Sequence, residues 1–252
     1  MNRIDAVFAN GQKAIMPFIV AGAPSLEECE ATVIALDEAG ADIIELGIPY
    51  SDPIADGPVI SATMHRALEQ GISPHNIVEL VKRVRPKIGA GLIAMVSHSI
   101  VRKSGGIEFI EQLSESGIDG FIIPDIDIAE AEEISAFCRA KELSFSMLIA
   151  PTTPLPRVQR LAELSCGFLY VLARTGLTGE QQELPDLNNR ISEIRTVTSL
   201  PLAVGFGIST AEHVKNVHAI TEAAIVGSAL VRRIDNSDNP ADAARQFVQE
   251  IF

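Results

Sequence analysis

Eight short apolar runs recur along the chain, at Ile15–Val20, Asp42–Leu46, Gly89–Val96, Gly120–Ile123, Phe145–Ile149, Phe168–Leu172, Leu202–Val204 and Ala224–Val226. They are continuous rather than alternating, the pattern of strands covered by protein on both faces. Longer stretches of helical character lie between them, among them Leu26–Ala39, Pro58–Gln70, Ile107–Ser116, Ala129–Lys141 and Leu155–Leu164. Eight buried strands joined by helical crossovers predict an α/β fold, a closed (β/α)8 TIM barrel.

The punctuation supports these boundaries. Ser25 stands before a helix with Glu27 and Glu28 in its first turn, where carboxylates meet the positive helix end. Glu38-Ala39-Gly40-Ala41-Asp42 and Glu115-Ser116-Gly117-Ile118-Asp119 are near-copies, each reading as helix end, glycine, short turn and strand. Residues Asn2–Asn10 predict a short lead-in helix, placed to plug the bottom of the barrel. An open doubly wound sheet is the competing architecture, but Val20-Ala21-Gly22-Ala23-Pro24 lacks the GxGxxG spacing after the first strand. No linker-like stretch or charge block interrupts the apolar runs, so a single barrel domain is expected over residues 1–252.

Composition narrows the function more than the fold. At 47% hydrophobic and 21% charged residues the chain suits a packed globule rather than a disordered one. Twenty basic against thirty-three acidic residues give a net charge of −13, a surface that repels nucleic acid and anionic lipid. That charge does not exclude an anionic substrate held by local positive potential. Cys29, Cys138 and Cys166 form no CxxC and read as small buried hydrophobes in a reducing compartment. The start, Met1-Asn2-Arg3-Ile4-Asp5, leads into no apolar signal region, and no run approaches about 18 apolar residues. A cytoplasmic protein is therefore expected.

In a barrel, chemistry sits at the C-terminal ends of the strands and on the loops that follow. Two carboxylates stand out in the second such region. Glu45 lies within Ile43-Ile44-Glu45-Leu46-Gly47; pointed into the barrel mouth, its acid form becomes easier to keep and it can exchange protons near neutral pH. Facing outward, it would instead pair with a Lys or Arg. Asp56 lies in a loop restricted by Pro49, Pro53, Gly57 and Pro58, which can hold a side chain over the mouth or make it a simple turn aspartate. Asp52, just before a proline, is the weaker candidate.

A second constellation is glycine-rich: Leu177-Thr178-Gly179 after the sixth strand, Gly205-Phe206-Gly207-Ile208-Ser209 after the seventh, and Gly227-Ser228-Ala229 after the eighth. Glycine permits close backbone approach, and N–H groups at helix starts hold phosphate; the recurrent barrel phosphate site is built from the last loops. A small phosphorylated substrate is the expectation. Arg174-Thr175-Gly176 opens a long sixth loop able to close over it. The histidines, at 65, 75, 98, 213 and 218, show no HxH or HExxH metal pattern, and only His98, after the third strand, is placed to face the pocket. No lysine stands at a strand end as an imine-forming nucleophile.

Taken together, the residues resemble the alpha subunit family of tryptophan synthase. The most specific match is the stretch from Glu45 through Leu46-Gly47-Ile48-Pro49-Tyr50-Ser51-Asp52-Pro53-Ile54-Ala55-Asp56-Gly57-Pro58. Pro17-Phe18, Ala21-Gly22, Pro151-Thr152-Thr153-Pro154, Arg174 to Gly179 and the two later glycine motifs extend it over essentially the whole chain. The resemblance implies a lyase of tryptophan biosynthesis that splits indole-3-glycerol phosphate into indole and D-glyceraldehyde 3-phosphate. Glu45 matches the family's acid and base, and Asp56 the carboxylate that holds the indole N–H. Tyr170 matches a pocket tyrosine and Phe206 an aromatic beside the ring, while Thr178, Gly179, Gly207, Gly227 and Ser228 fall on the substrate and phosphate positions. The resemblance also implies no cofactor in this chain, a beta-subunit partner that carries pyridoxal phosphate, and an alpha2beta2 assembly.

The chain departs from the family pattern in three places. Met95-Val96-Ser97-His98-Ser99-Ile100-Val101 replaces the usual tyrosine pair and Asn-Pro after the third strand. Ile126-Asp127-Ile128 replaces a proline-containing turn after the fourth, and Ala23 stands where an aspartate is common. The first two loops normally help to meet the beta subunit. A stand-alone lyase releasing free indole, a non-catalytic regulatory barrel and a sugar-phosphate isomerase are the competing functions.

Overall fold

The computed structural model describes residues 2–9, 11–53, 56–174, 176, 185–205 and 207–252. Nine strand segments are found among them: β1 (Ala14–Val20), β2 (Ile43–Gly47), β3 (Gly91–Met95), β4 (Gly120–Ile122), β5 (Ser144–Ser146), β6 (Leu148–Ile149), β7 (Leu169–Leu172), β8 (Leu202–Gly205) and β9 (Ala223–Val226). All neighbours pair in parallel, in the order β5-β4-β3-β2-β1-β9-β8-β7-β6. The two ends of that row are halves of one stretch of chain, separated only by Met147. The sheet therefore closes into the expected barrel.

The break at Met147 corrects the single fifth strand read over Phe145–Ile149. Its amide donates to Ser165 Oγ at 3.1 Å, and its carbonyl accepts from Tyr170 N at 3.2 Å. The first half of the stretch pairs with β4 and the second with β7, so the ladder changes neighbour at this residue.

The register gives the stagger. Partners run Phe18, Glu45, Ile93, Gly120, Ser144 on one side, and Leu148, Tyr170, Ala203, Ala223, Ala14 on the other. Ser144 and Leu148 are four residues apart, as are Ala14 and Phe18, so one circuit is displaced by eight residues. This is the shear of a TIM barrel, one residue per strand. It puts Glu45 level with Ile122, Tyr170 and Ile225, four inward side chains from alternate strands in one layer. Inward residues, including Met16, Ile43, Ile93, Ile122, Phe168 and Ile225, form the barrel core. Their outward neighbours, such as Ile15, Ile44, Leu92 and Val204, pack under the helices. Both faces are covered, which is why the strands read as unbroken apolar runs.

Helix ends follow the punctuation. Ser25 Oγ accepts from Glu28 N at 3.2 Å at the start of Leu26–Glu38. Gly40 and Gly117 adopt φ of +97° and +120° after their helices, backbone that glycine enters without a Cβ penalty. The lead-in helix spans Arg3–Ala9 and closes the barrel bottom as expected. Ile4 is fully buried there; a Cβ on Gly91 or Gly120 would come within 3.0 Å of it. Phe8 packs on Phe168 with ring centroids 5.8 Å apart, and Arg3 Nη1 lies 3.0 Å from Asp119 Oδ1. Among the described residues, no helix is long and apolar enough to cross a membrane.

Candidate active site

Strand alternation sends Glu45 inward with Ile43, while Ile44 and Leu46 face the helices. Its carboxylate is fully buried, and neither oxygen has a hydrogen-bond partner among the described residues. The layer it belongs to is otherwise Ile122, Tyr170 and Ile225, so little polar matter faces it. An ionised carboxylate in such surroundings lacks the solvation it would have in water, and burial pushes the Glu45 pKa up to about 8, with the charge of Asp56 adding to the effect.

Asp56 approaches from the loop after β2. Its amide donates to Pro53 O at 3.1 Å, and its carbonyl accepts from Ser61 Oγ at 3.1 Å, which ties it to the helix Pro58–Glu69. Burial raises its pKa to about 6, opposed by a hydrogen bond from the Tyr50 phenol that favours the carboxylate. The two acids thus sit in different environments, one unpartnered and apolar, the other hydrogen-bonded. Environments that push two pKa values apart are how a pair of carboxylates divides acid and base work.

Tyr170 is buried in the Glu45 layer on the facing side of the barrel, since β7 lies four strands from β2 in either direction. Its phenol is held well above the ordinary value by burial, then by the charges of Glu45 and Asp56. The hydroxyl reaches past its own layer to the end of β8, where a Cβ on Gly205 would lie 2.3 Å from it. Glycine at 205 therefore makes room for Tyr170. Gly47 plays the same part for Phe18: a Cβ there would lie 2.5 Å from the ring's Cζ, and one on Gly227 would lie 3.5 Å from Cδ1. Phe18, on β1, thus sits between the carboxylate strand and the loop after β9, β2 and β9 being the two neighbours of β1 in the sheet.

That loop starts a helix. Gly227 is the N-cap of Ser228–Asp235, and Ser228 is buried at its first turn, leaving amide N–H groups aimed at the mouth. Gly207, after β8, adopts a φ of +91°. Among the described residues, no group of three His, Cys, Asp or Glu is placed to hold a metal.

A match to the family model described as tryptophan synthase alpha chain covers residues 4–251. The chain belongs to the tryptophan synthase alpha-chain family. It is 40% identical to the alpha chain of Rhodopirellula baltica over 244 residues, covering 95% of this chain and 88% of that one. It is also 40% identical to the alpha chain of Caldanaerobacter subterraneus subsp. tengcongensis, covering 100% and 98%. Among solved structures, the tryptophan synthase alpha subunit of Legionella pneumophila str. Paris superposes with a TM-score of 0.90 at 32% identity, covering 100% of this chain and 97% of that one. Mycobacterium tuberculosis tryptophan synthase gives 0.89 at 28% identity, covering 99% and 95%. The activity that goes with alpha-chain membership is the carbon–carbon lyase step that splits indole-3-glycerol phosphate in tryptophan biosynthesis.

Of the residues singled out in the alpha-chain resemblance, Glu45, Asp56 and Tyr170 are near enough for their charges to act on one another. Gly207, Gly227 and Ser228 lie at the same end of the barrel, on the loops after β8 and β9. Thr178, Gly179 and Phe206 lie outside the described residues. His98 does not join the carboxylates: its Nδ1 lies 3.2 Å from Glu130 Oε2, on the neighbouring helix Ile128–Ala140. Its loop is tied down by Asp125, which accepts from Ser97 Oγ and from His98 N, both at 2.7 Å. Tyr50 was absent from the expected site set. The only signal for it was its place inside the motif that also holds Asp56.

Proposed function

We propose that Glu45 is the acid and base of the lyase reaction and that Asp56 holds the indole N–H. The observation that carries this is a buried Glu45 carboxylate with no hydrogen-bond partner, beside a second carboxylate that has one. Protonated Glu45 delivers its proton to C3 of the indole. Asp56, as carboxylate, stabilises the positive charge this puts on the ring and its N–H. The bond from C3 to the glycerol chain then breaks, its electron pair returning to the ring, while the adjacent hydroxyl gives its proton to Glu45 and becomes the aldehyde. Glu45 ends protonated, so the cycle balances. Binding the far end of the substrate as phosphate at Gly227 and Ser228, with Gly207, Thr178 and Gly179, orients the reacting bond. Tyr170 and Phe206 line the indole side.

The partner is a tryptophan synthase beta subunit that carries pyridoxal phosphate, in an alpha2beta2 assembly in the cytoplasm. The test is indole release from indole-3-glycerol phosphate by the purified chain, with and without a beta subunit from the same organism. Slow release alone and strong stimulation by the partner support both parts of the reading. Equal and substantial rates assign a stand-alone lyase, and no indole from folded protein in either tube removes Glu45 and Asp56 from these roles. Glu45→Gln and Asp56→Asn are each expected to lower kcat by about 10²-fold or more.

A further inference from the structure

Two helices bracket the proposed substrate, and a polar triangle joins them at a distance from the mouth. Pro58–Glu69 begins two residues after Asp56, and Ser61 on it holds the Asp56 carbonyl. Ser228–Asp235 begins at the glycine and serine proposed to hold phosphate, and ends in Asp235. Thr63 Oγ1 donates to Asp235 Oδ2 at 2.6 Å and accepts from Arg66 Nη2 at 2.9 Å. The same Arg66 nitrogen also donates to Asp235 Oδ2. Thr63 is buried, and the side chain of Asp235 is only 17% exposed, so water competes poorly for these bonds. Above the triangle the helices share a small apolar cluster in which Val231 meets Ile60, Met64 and Ala67. The cluster also contains Phe18, whose ring lies against Gly47 and Gly227.

We infer that Asp235 is a positioning residue whose contact with Thr63 and Arg66 sets the separation between Asp56 and the phosphate-binding helix start. The inference rests on the proposed roles of Asp56, Gly227 and Ser228. Asp235 touches no substrate atom in it. A ligand that spans two subsites gains from joining its halves only when the subsites are held at the matching distance. An apolar contact alone tolerates sliding, whereas a partly buried carboxylate bonded to a hydroxyl and a guanidinium fixes register along the helix axes. The brace therefore acts on the joined substrate and not on either half.

The experiment measures binding of three probes: indole, glycerol 3-phosphate, and an indole linked through a three-carbon chain to phosphate. It compares the wild-type chain with Thr63→Val, Asp235→Ala and Asp235→Asn, with kcat and KM for indole release alongside. In the first two variants each half is expected to bind within about twofold of wild type, while the joined probe weakens about tenfold or more and kcat falls. Asp235→Asn, which keeps an acceptor oxygen, recovers part of the loss, and Thr63→Ser, which keeps the hydroxyl, recovers most of it. Arg66→Gln cuts the triangle at its exposed corner and replaces Asp235→Ala should that variant not fold. A joined probe bound as tightly by the variants as by wild type overturns the brace. So does an equal loss for all three probes, the mark of general destabilisation. Failure of the wild-type chain itself to bind the joined probe or release indole is a different result: it sinks the site reading, and the brace with it.

Discussion

At the scale of single residues, the proposed chemistry turns on two carboxylates needed in opposite forms. The proposed cycle needs Glu45 protonated and Asp56 ionised, and with pKa values near 8 and 6 both conditions hold together only between those limits. A bell-shaped profile of kcat/KM follows, with limbs near pH 6 and pH 8 that belong to the interacting pair. The Tyr50 phenol favours the Asp56 carboxylate, so Tyr50→Phe is expected to raise the acid limb and narrow the bell from that side. Should the alkaline limb move instead, Tyr50 has been placed beside the wrong acid. Stability carries the same signature. Between the ordinary carboxyl value of 4.5 and about 8, the folded chain keeps a proton on Glu45 that the unfolded chain has released, so stability falls as pH rises through that window. Glu45→Gln removes this slope. Apart from a pH-independent offset, the variant should gain on wild type by up to about 1.4 kcal/mol per pH unit across the window. Urea unfolding of both proteins at pH 5, 7 and 9 measures it, and parallel curves would mean that Glu45 is solvated. The burial of Glu45 was legible in the sequence, because a charged residue inside a continuous apolar strand must face one buried side or the other; its inward turn is settled by Ile44 and Leu46, which face the helices. Tyr50 was not, because nothing in residue spacing shows a phenol folding back on an aspartate six residues later.

At the scale of elements, the strand ends are shaped by what glycine leaves out. The expectation was glycine at the mouth for phosphate, and Gly227, as the N-cap of Ser228–Asp235, is still proposed for that role. Gly47 and Gly205 serve differently, as gaps into which Phe18 and Tyr170 fit. A sequence shows where a Cβ is missing but not which ring occupies the space, since the rings come from strands distant in the chain. Gly47→Ala puts a methyl 2.5 Å from Phe18 Cζ and 3.4 Å from Met64 Cε. Phe18 is packed among Val20, Ile60, Met64 and Val231, so its retreat disturbs the cluster under the mouth. The expected cost is about 1–3 kcal/mol in unfolding free energy. Adding Phe18→Leu should return part of it, giving a favourable coupling in a double-mutant cycle. Simple additivity of the two losses would count against this packing. The interrupted fifth strand has a similar lesson: the apolar run continues through Met147, and the change of neighbour shows in the pairings on either side of it and in the bond from its amide to Ser165.

At the scale of the whole molecule, the barrel separates stability from chemistry along its axis. Alternating helices and buried strands were legible from end to end, because parallel strands covered on both faces leave an unbroken apolar record. The meeting of loops across the top was not: the bonds from Ser97 and His98 to Asp125 join segments about thirty residues apart that share no local pattern. The bottom face offers the cleanest test of the division. Ile4 from the lead-in helix fills the opening left by Gly91 and Gly120, and the layers of Ile43 with Phe168 and of Met16 with Ile93 lie between it and Glu45. Ile4→Ala leaves a cavity there, because strands fixed by the sheet ladder close in only partly. The expected loss is about 2–5 kcal/mol. Arg3, held at Asp119, keeps the helix in place around the cavity, so the damage stays local. With the protein still folded at low temperature, kcat and KM for indole release should remain within about twofold of wild type, since nothing in the Glu45 layer has moved. A large fall in kcat from folded Ile4→Ala protein would show that the interior transmits strain along its axis, and that the acid–base pair is held from below as well as from its own loops.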